Sequence, residues 1–338
     1  MTSNFEFALS HVDAGFAISL GDDDGLMPNA VRMAADIITQ EKVDAITSNS
    51  IYYAWPSFPI ESMRDKMILR DIYKNSVEIR NAKSEIIRLV SYQGSERNYV
   101  WGMPGLYRGF VHTDVIKKAK GTARYFRSVT PDAYSAFVNS FFLKDFAYSY
   151  YPFTIEGVSG RSNGASQIIG LNSSEEKKYV SENDIEFNPD LSYAPSPMII
   201  LAEAYLQARA NFPEHCADHD FSLARVCRAA MREAAGPNKS RVEEAVREII
   251  AKNGIVPLRK YTLGDAFEIA FGKLSRILNS MEVDCRAFEV KDVHSASLLA
   301  HFIVNNNHRG ATASGWKLMA KKVSRKLLHS TRPTRDLG

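Results

Sequence analysis

The pattern of apolar and polar positions predicts alternating helices and strands near the start of the chain. Apolar residues recur at helical spacing over 4–11, which predicts the end of an amphipathic helix. The short apolar run 16–20 is bounded by glycines, as is typical of a strand buried inside a sheet. A helix is predicted from Pro28 to about Glu41, and a strand over 43–46. This order of elements predicts the layered sheet of an α/β protein.

The pattern changes after about residue 195. Before that point we predict a loop rich in aromatic residues and proline (52–59), two strands (86–91 and 148–155), two helices (109–120 and 131–146) and a glycine- and serine-rich loop (159–166). Beyond it, helical patterns dominate without convincing strands between them, over 197–211, 219–235, 240–252, 263–281, 293–305 and 312–329. We therefore predict an α/β domain over 1–190 and a mostly helical C-terminal region over 191–338.

Composition and cysteine usage exclude several classes of protein. The chain has 338 residues, 45% of them hydrophobic and 24% charged, which is typical of a folded globular protein and not of a disordered, collagen-like or coiled-coil chain. Its three cysteines are too few and too scattered for a disulfide framework or a zinc site. The N-terminus does not resemble a signal peptide, and no apolar run has the length of a membrane span. These features favour a cytoplasmic protein.

Charge is distributed unevenly along the chain. Residues 309–338 hold eight basic side chains and one acidic one, so the preceding residues hold 34 basic and 38 acidic ones. Within that tail, 312–329 has one apolar helical face and basic residues elsewhere, the pattern of a helix that binds an anionic membrane surface. The alternative is a helix packed on its own domain with a solvated basic face. Nucleic acid is a weaker candidate partner, because the body is acidic and no nucleic-acid-binding motif is present.

Three consecutive carboxylates, Asp22, Asp23 and Asp24, follow the first predicted strand and are flanked by glycines. In open α/β sheets, ligands bind at the carboxyl ends of strands. Adjacent carboxylates repel one another, and a divalent cation that prefers oxygen ligands, such as Mg²⁺ or Mn²⁺, removes that repulsion. The glycines would let a phosphate approach the backbone closely. The alternative is an acidic, solvated turn that caps the helix starting at Pro28.

Four segments carry a resemblance to a known family. In chain order they are NFEFALSHVDAGFAISLGDDDGLMPNAV (4–31), YRGFVHTDVIKKA (107–119), YFRSVTPDAYSAF (125–137) and SGRSNGAS (159–166). Together they resemble the family-two glycosyltransferases of the GT-A type, in which an Asn-led helix and a buried strand precede a metal-binding DxD motif. The resemblance spans roughly residues 3–170, about half of the chain. It implies a Rossmann-like nucleotide-diphospho-sugar transferase sheet.

The resemblance implies roles for the residues on the donor side. Asp22 and Asp24 would hold a divalent cation, Mn²⁺ or Mg²⁺, that bridges the diphosphate of a nucleotide-sugar. Asp23 would contact the sugar or serve as the ligand instead, because the run of acids permits more than one register. Asn4 matches a position that helps to frame the donor pocket. The metal would stabilise the departing nucleoside diphosphate.

On the acceptor side, Asp132 matches the acid that acts as general base in inverting members of the family. A carboxylate at a helix start is kept ionised by the helix dipole and can accept a proton, although many such residues are simply helix caps. Arg161, Ser162 and Asn163 lie on a polar loop that suits acceptor hydroxyls or phosphate, and a plain surface turn is an equal alternative. Trp55, Trp101 and Tyr107 could stack on sugar rings, although aromatic residues are more often core.

The position of the DxD motif departs from the family pattern. Two or more βα units normally precede it, roughly 80 residues at about 30 per βαβ unit. The family's nucleotide-binding strands therefore have no counterpart before residue 22, and we expect an incomplete GT-A sheet that binds nucleotide-sugars weakly. The QxxRW motif of the processive subgroup is absent from the sequence, which favours single addition.

The sequence thus predicts an inverting, metal-dependent glycosyltransferase that acts on a glycan or lipid-linked acceptor in cell-surface polysaccharide biosynthesis. Two alternatives remain open. A nucleotidyltransferase would use the same acids for metal and pyrophosphate. A truncated, non-catalytic remnant or scaffold would bind a partner through its helical region.

Overall fold

The structure is a computed structural model that describes residues 2–70, 76–91, 102–160, 162, 184–234, 236–256 and 280–306. It contains a mixed β-sheet with helices packed on both faces, which confirms the predicted α/β class. The strands are β1 (Phe16–Ala17), β2 (Gly25–Leu26), β3 (Ala45–Ala54), β4 (Lys66–Arg70), β5 (Val77–Asn81), β6 (Gly109–His112), β7 (Asp145–Val158) and β8 (Ser280–Asp284). The α-helices are α1 (Thr2–Leu9), α2 (Ala30–Glu41), α3 (Ala82–Val90), α4 (Thr113–Lys120), α5 (Pro131–Phe141), α6 (Pro197–Asn211), α7 (Leu223–Glu233), α8 (Lys239–Lys252) and α9 (Val293–Asn306).

The sheet is built around two long strands, β3 and β7, which pair in parallel. A shift of register between Ser48 and Ser50 divides this pair into two halves. In the first half, β6 and then β1 extend the sheet beyond β3, while β5 extends it beyond β7. In the second half, β4 and then β8 extend the sheet beyond β3, while β2 pairs with the far edge of β7. All of these outer pairings are antiparallel.

Alternation along the strands divides the apolar side chains between two cores. Ala45 and Phe146 point to the face covered by α3 to α8, whereas their neighbours Ile46 and Ala147 point to the face covered by α2 and α9. Successive side chains of a strand point to opposite faces, so both faces of the central strands are apolar. The result is a three-layer arrangement of helices, sheet and helices.

Several predicted elements are confirmed. The structure has α1 near 4–11, α2 close to 28–41, and β7 across the predicted strand 148–155. Strand β3 includes 43–46 in part but continues to Ala54, so the predicted start of the loop 52–59 is three residues too early. Four helices lie close to their predicted ranges after residue 195, namely α6, α7, α8 and α9.

Other predicted elements are wrong for identifiable reasons. The run 16–20 is not a strand inside the sheet, because only β1 pairs, at the sheet edge, and the amide of Ser19 donates to Leu106 O at 2.7 Å in a loop. The predicted strand 86–91 belongs to α3, whose buried Ala82, Ile86 and Leu89 lie at helical spacing. An apolar run of this length fits a buried helix as well as a strand.

Two predicted helices have wrong boundaries. The range 109–120 begins as β6 and becomes helical only at α4, where His112 Nδ1 accepts the amide N–H of Asp114 at 3.2 Å. The helix predicted over 131–146 ends at Phe141, and β7 begins at Asp145. In both cases a strand and a helix adjoin within a few residues, so one apolar pattern runs across the junction.

The region after residue 195 contributes a strand to the sheet, contrary to the prediction. Strand β8 pairs with β4, with Met281 opposite Leu69 and Val283 opposite Met67. Its period-2 pattern is only five residues long and adjoins a helical pattern, which hides it in the sequence. The predicted boundary near 190 stays a prediction. Most of 263–281 and all of 312–329 lie outside the described residues.

None of the helices in the described residues is both long enough and apolar enough to cross a membrane.

Candidate functional site

The carboxylate run Asp22–Asp24 lies beside the carboxyl ends of the two central strands. The indole Nε1 of Trp55, one residue beyond β3, donates to the backbone oxygen of Asp23 at 3.0 Å. The amide of Gly157, near the end of β7, donates to Asp24 Oδ1 at 2.9 Å. The sequence placed the run at the end of the strand predicted over 16–20. The structure instead brings it from the short link between β1 and β2 to the ends of β3 and β7, where α/β sheets bind ligands.

Asp24 is the best-anchored of the three acids. Its side chain is buried, and Oδ2 accepts the amide N–H of Gly21 at 2.9 Å while Oδ1 accepts that of Gly157. The Tyr107 hydroxyl makes a third hydrogen bond to the same carboxylate. Burial raises the pKa of Asp24, and these three hydrogen bonds oppose that rise. Asp24 therefore joins the carboxylate run to β7 and to the segment before β6.

Replacing Asp24 with alanine should lower the free energy of unfolding by about 3 kcal/mol, because Gly21, Gly157 and Tyr107 lose a buried acceptor. Relief of the buried charge offsets part of this cost. Asp22→Ala is the matched control, since Asp22 is exposed and should change stability by no more than about 0.5 kcal/mol. Chemical unfolding of the two variants measures the difference. Equal stability would contradict the anchoring role.

Asp23 and Ser162, both predicted site residues, are in contact. The Ser162 hydroxyl donates to Asp23 Oδ2, and it accepts the amide N–H of Ser159 at 2.7 Å. The turn that follows β7 is thereby folded onto the carboxylate run. This contact agrees with the prediction that the two segments contribute to one site, while the chemical roles of both residues stay predictions.

Tyr107 links the acidic run to the second predicted acid. Burial is the main cause that raises the pKa of Tyr107, and the negative charges of Asp24, Asp132 and Asp23 raise it further. Its hydroxyl therefore stays protonated and lies within electrostatic range of both acidic groups. The structure thus brings together three predicted site segments that are separated by about 25 to 85 residues in the sequence.

Asp132 lies in the first turn of α5, after Pro131. Burial raises the pKa of Asp132, while the amide N–H of Ala133 and the positive charge of Arg108 lower it. The N-cap residue of α5 is Thr130, which makes no side-chain capping hydrogen bond, whereas Asp132 lies two positions further on and accepts the amide N–H of Ala133. The residue as a whole is partly exposed, although burial dominates at its carboxyl group.

The sequence did not identify a nearby ion pair between Arg108 and Glu156. Arg108 directly precedes β6, and Glu156 lies near the end of β7. Their side chains are only 15% and 17% exposed. Arg108 also acts electrostatically on Asp132, so its charge is shared between two carboxylates. The sequence offers a signal for Arg108 alone, because it directly follows the predicted site residue Tyr107.

Two glycines allow the close approach on which the site depends. A Cβ atom at Gly157 would lie 1.7 Å from the backbone oxygen of Asp23 and 2.5 Å from Trp55 Nε1. A Cβ atom at Gly21 would lie 2.8 Å from both Asp24 Oδ2 and the Tyr107 hydroxyl. A side chain at position 157 would therefore displace the backbone of the carboxylate run, whereas one at position 21 would displace the ends of the Asp24 and Tyr107 side chains.

The structure does not bring Asn4 to this site. Asn4 is exposed on α1, and within the described residues its helix is joined to the segment before α5, through Thr2 to Ser128 and through Glu6 to Tyr125 and Phe126. Arg161, Asn163 and Trp101 were also predicted to take part, but they lie outside the described residues.

Among the residues that the structure describes, no group of three or more His, Cys, Asp or Glu side chains could by itself hold a metal ion. The available donors at the carboxylate run are oxygens. Asp22 is exposed, and Asp24 makes three hydrogen bonds where a carboxylate offers about four acceptor positions. The run could therefore supply one or two oxygen ligands.

Comparison with known protein families finds no matching family, and comparison with curated proteins finds no significant similarity. Function is therefore inferred from the arrangement of side chains.

Proposed function

We propose that the chain is a metal-dependent inverting glycosyltransferase, with a GT-A type sheet, that moves a sugar from a nucleotide-sugar to a glycan or lipid-linked acceptor. One observation carries the proposal: the Tyr107 hydroxyl is hydrogen-bonded to Asp24 of the acidic run, which lies at the carboxyl ends of β3 and β7, and it is within electrostatic range of Asp132. Such a reaction needs an oxygen-rich site for a diphosphate and a separate carboxylate for proton transfer. Both elements of that requirement have candidates here.

The donor would bind beside the carboxylate run. Mg²⁺ and Mn²⁺ prefer oxygen ligands, and Mg²⁺ is commonly held by one or two carboxylates together with substrate phosphates. Asp22, which is exposed, and the remaining acceptor position of Asp24 suit that arrangement. When bound, the cation would neutralise charge on the leaving diphosphate. The half-buried indole of Trp55, fixed by its bond to Asp23, offers an apolar face for a sugar ring or base.

The acceptor would bind between Tyr107 and Asp132. In the ionised form, the Asp132 carboxylate can take the proton of an acceptor hydroxyl. The acceptor oxygen would then form a bond to the donor sugar on the face opposite to the nucleoside diphosphate, whose bond to the sugar breaks. Arg108 lowers the pKa of Asp132 and so favours that ionised form against the effect of burial. The protonated Tyr107 hydroxyl is hydrogen-bonded to the Asp24 carboxylate and is within electrostatic range of Asp132, so an acceptor hydroxyl bound between them could contact both.

We place this activity in cell-surface polysaccharide biosynthesis on the cytoplasmic side. A lipid-linked acceptor would suit peripheral attachment to an anionic membrane through 312–329, which lies outside the described residues.

A non-catalytic scaffold is the second candidate, and one observation favours it. The Asp24 carboxylate is occupied by two backbone amides and one hydroxyl, as a purely structural acid would be. The two candidates differ in whether the exposed Asp22 binds a cation.

The test is calorimetric titration of the full chain with a panel of UDP- and GDP-sugars, with Mn²⁺ and with EDTA. We expect heat of binding for one donor series with Mn²⁺ and a loss of at least tenfold in affinity with EDTA. Asp22→Asn should reproduce much of that loss at unchanged stability, whereas Glu41→Asn, an exposed acid on α2, should not. Absence of binding to every donor in the presence of Mn²⁺ would favour the scaffold.

A further inference from the structure

Glu203 is a carboxylic acid buried inside the helical layer. It lies on α6, and no part of it is exposed. The Ser128 hydroxyl donates to its Oε2, and the Gln207 amide donates to its Oε1 at 3.0 Å. The backbone amides of Val129 and Asn188 also donate to it. Glu203 therefore ties together α6, the segment around 188 and the segment that enters α5.

The segment that Glu203 holds, 128–130, sets the start of α5. The amide of Thr130 donates to the Ser128 hydroxyl at 3.1 Å, and the amide of Tyr134 donates to Thr130 O at 3.0 Å as the helix begins. Asp132 lies between Thr130 and Tyr134. Displacement of the segment 128–130 would move the helix start and with it the Asp132 carboxylate.

Other titratable groups face the same place from the neighbouring elements. Tyr134 of α5 is buried, and burial together with the charges of Glu203 and Glu6 raises its pKa, so it stays protonated. The Arg127 guanidinium donates hydrogen bonds to Asn211 Oδ1 and to the backbone oxygens of Arg124 and Lys120. Glu6 of α1 accepts the amides of Tyr125 and Phe126. Of these groups, Glu203 alone binds the segment 128–130 through its carboxyl group.

We propose that Glu203 is a positioning residue whose protonation sets how firmly the start of α5 is held. The protonated acid is neutral and can donate to the Ser128 hydroxyl, which accepts as readily as it donates. The ionised acid must remain charged in a buried site, and opening of the segment 128–130 would return it to water. Ionisation therefore favours opening. The consequence for catalysis rests on the proposed function of Asp132, but the local opening does not.

The sign follows from the two states of the carboxyl. Burial raises the pKa of Glu203 from 4.5 to about 7 in the closed state. The free energy by which Glu203 favours the closed segment 128–130 is fully present below the pKa of the solvated group, 4.5. It is lost as the pH rises to about 7. Above that value both states are ionised and the effect levels off.

Hydrogen exchange of the full chain tests the proposal without an activity assay. We expect the protection factors of the Val129 and Thr130 amides, corrected for intrinsic exchange at each pH, to fall by about 10²-fold between pH 5 and 8. Glu203→Gln mimics the neutral form, so its protection should stay high and constant within about threefold. Glu248→Gln on the exposed face of α8 should retain the wild-type slope. Amides inside α8 report on global stability in the same samples.

A flat profile in the wild-type chain would overturn the proposal, and the wild-type profile needs no variant to fold. An equal slope in Glu203→Gln would also overturn it, because the effect would then come from a different group. Failure to detect glycosyl transfer would count against the proposed function alone.

Discussion

Replacing Asp132 with asparagine should lower donor turnover by about 10²- to 10⁴-fold, the range that one general base contributes. Asparagine keeps the size of the side chain but cannot take a proton from an acceptor hydroxyl or water. Binding of nucleotide-sugar with Mn²⁺ should be unchanged, because the carboxylate run is intact. Release of nucleoside diphosphate measures turnover, and calorimetry measures binding.

Asp114→Asn is the matched control, because Asp114 also lies in the first turn of a helix, α4, and its side chain is 67% exposed. It should leave turnover unchanged. Wild-type turnover should rise with pH as Asp132 loses its proton, and it should level off above the pKa of Asp132, which burial raises. Turnover in Asp132→Asn within threefold of wild type would exclude the base and leave Asp132 only its hydrogen bond with the Ala133 amide.

Replacing Gly157 with alanine should destabilise the protein strongly, because among the described glycines its added Cβ would make the shortest contact. The new Cβ would lie 1.7 Å from Asp23 O, a backbone atom that cannot move without moving the carboxylate run. We expect a loss of about 3 kcal/mol or more, beyond the usual cost of overpacking. Thermal unfolding should show the loss as a lower melting temperature, and Mn²⁺-dependent donor binding should disappear with it.

Gly105→Ala controls for the substitution itself. The nearest atom to a Cβ there is the Ala136 Cβ at 3.4 Å, which is ordinary contact. This variant should melt within about 2 °C of wild type. If Gly157→Ala melted at the same temperature as Gly105→Ala, the close approach of β7 to Asp23 would be disproved.

The fold class could be predicted from the sequence because the spacing of apolar residues indicates which face of a helix or strand is buried. Helix α6 is long and starts at a proline, so it was predicted at its true bounds, and β7 has apolar residues on both faces, so its central part 148–155 was predicted as a strand. The predictions for β8 and for the short β1 were wrong because each strand depends on a pairing partner far away in the chain. Local pattern does not encode such partners.

The candidate site was predictable in part for a different reason. Asp22, Asp23, Asp24 and Asp132 are acids at the ends of predicted elements, and such positions can be recognised locally. Arg108 directly precedes β6 and Glu156 lies inside β7, and only the pairing of both strands with β3 brings them together. The buried Glu203 was missed because a single acid in an apolar helix gives no sign of what it binds.

Strand β8 and helix α9 bear on how the chain can be shortened. Without them, the edge of β4 would be unpaired and Met67 and Leu69 would lose the cover of Val283 and Met281. Val293 at the start of α9 also packs against Gly25, where a Cβ would lie 2.2 Å from its Cγ1, directly after the carboxylate run. A chain that ends at residue 190 would therefore expose an unpaired sheet edge that can pair with other chains, and its acidic run would lose the contact of Val293 with Gly25. After limited proteolysis that cleaves the chain before residue 280, the fragment that contains 280–306 should accordingly stay bound to the fragment that contains the sheet.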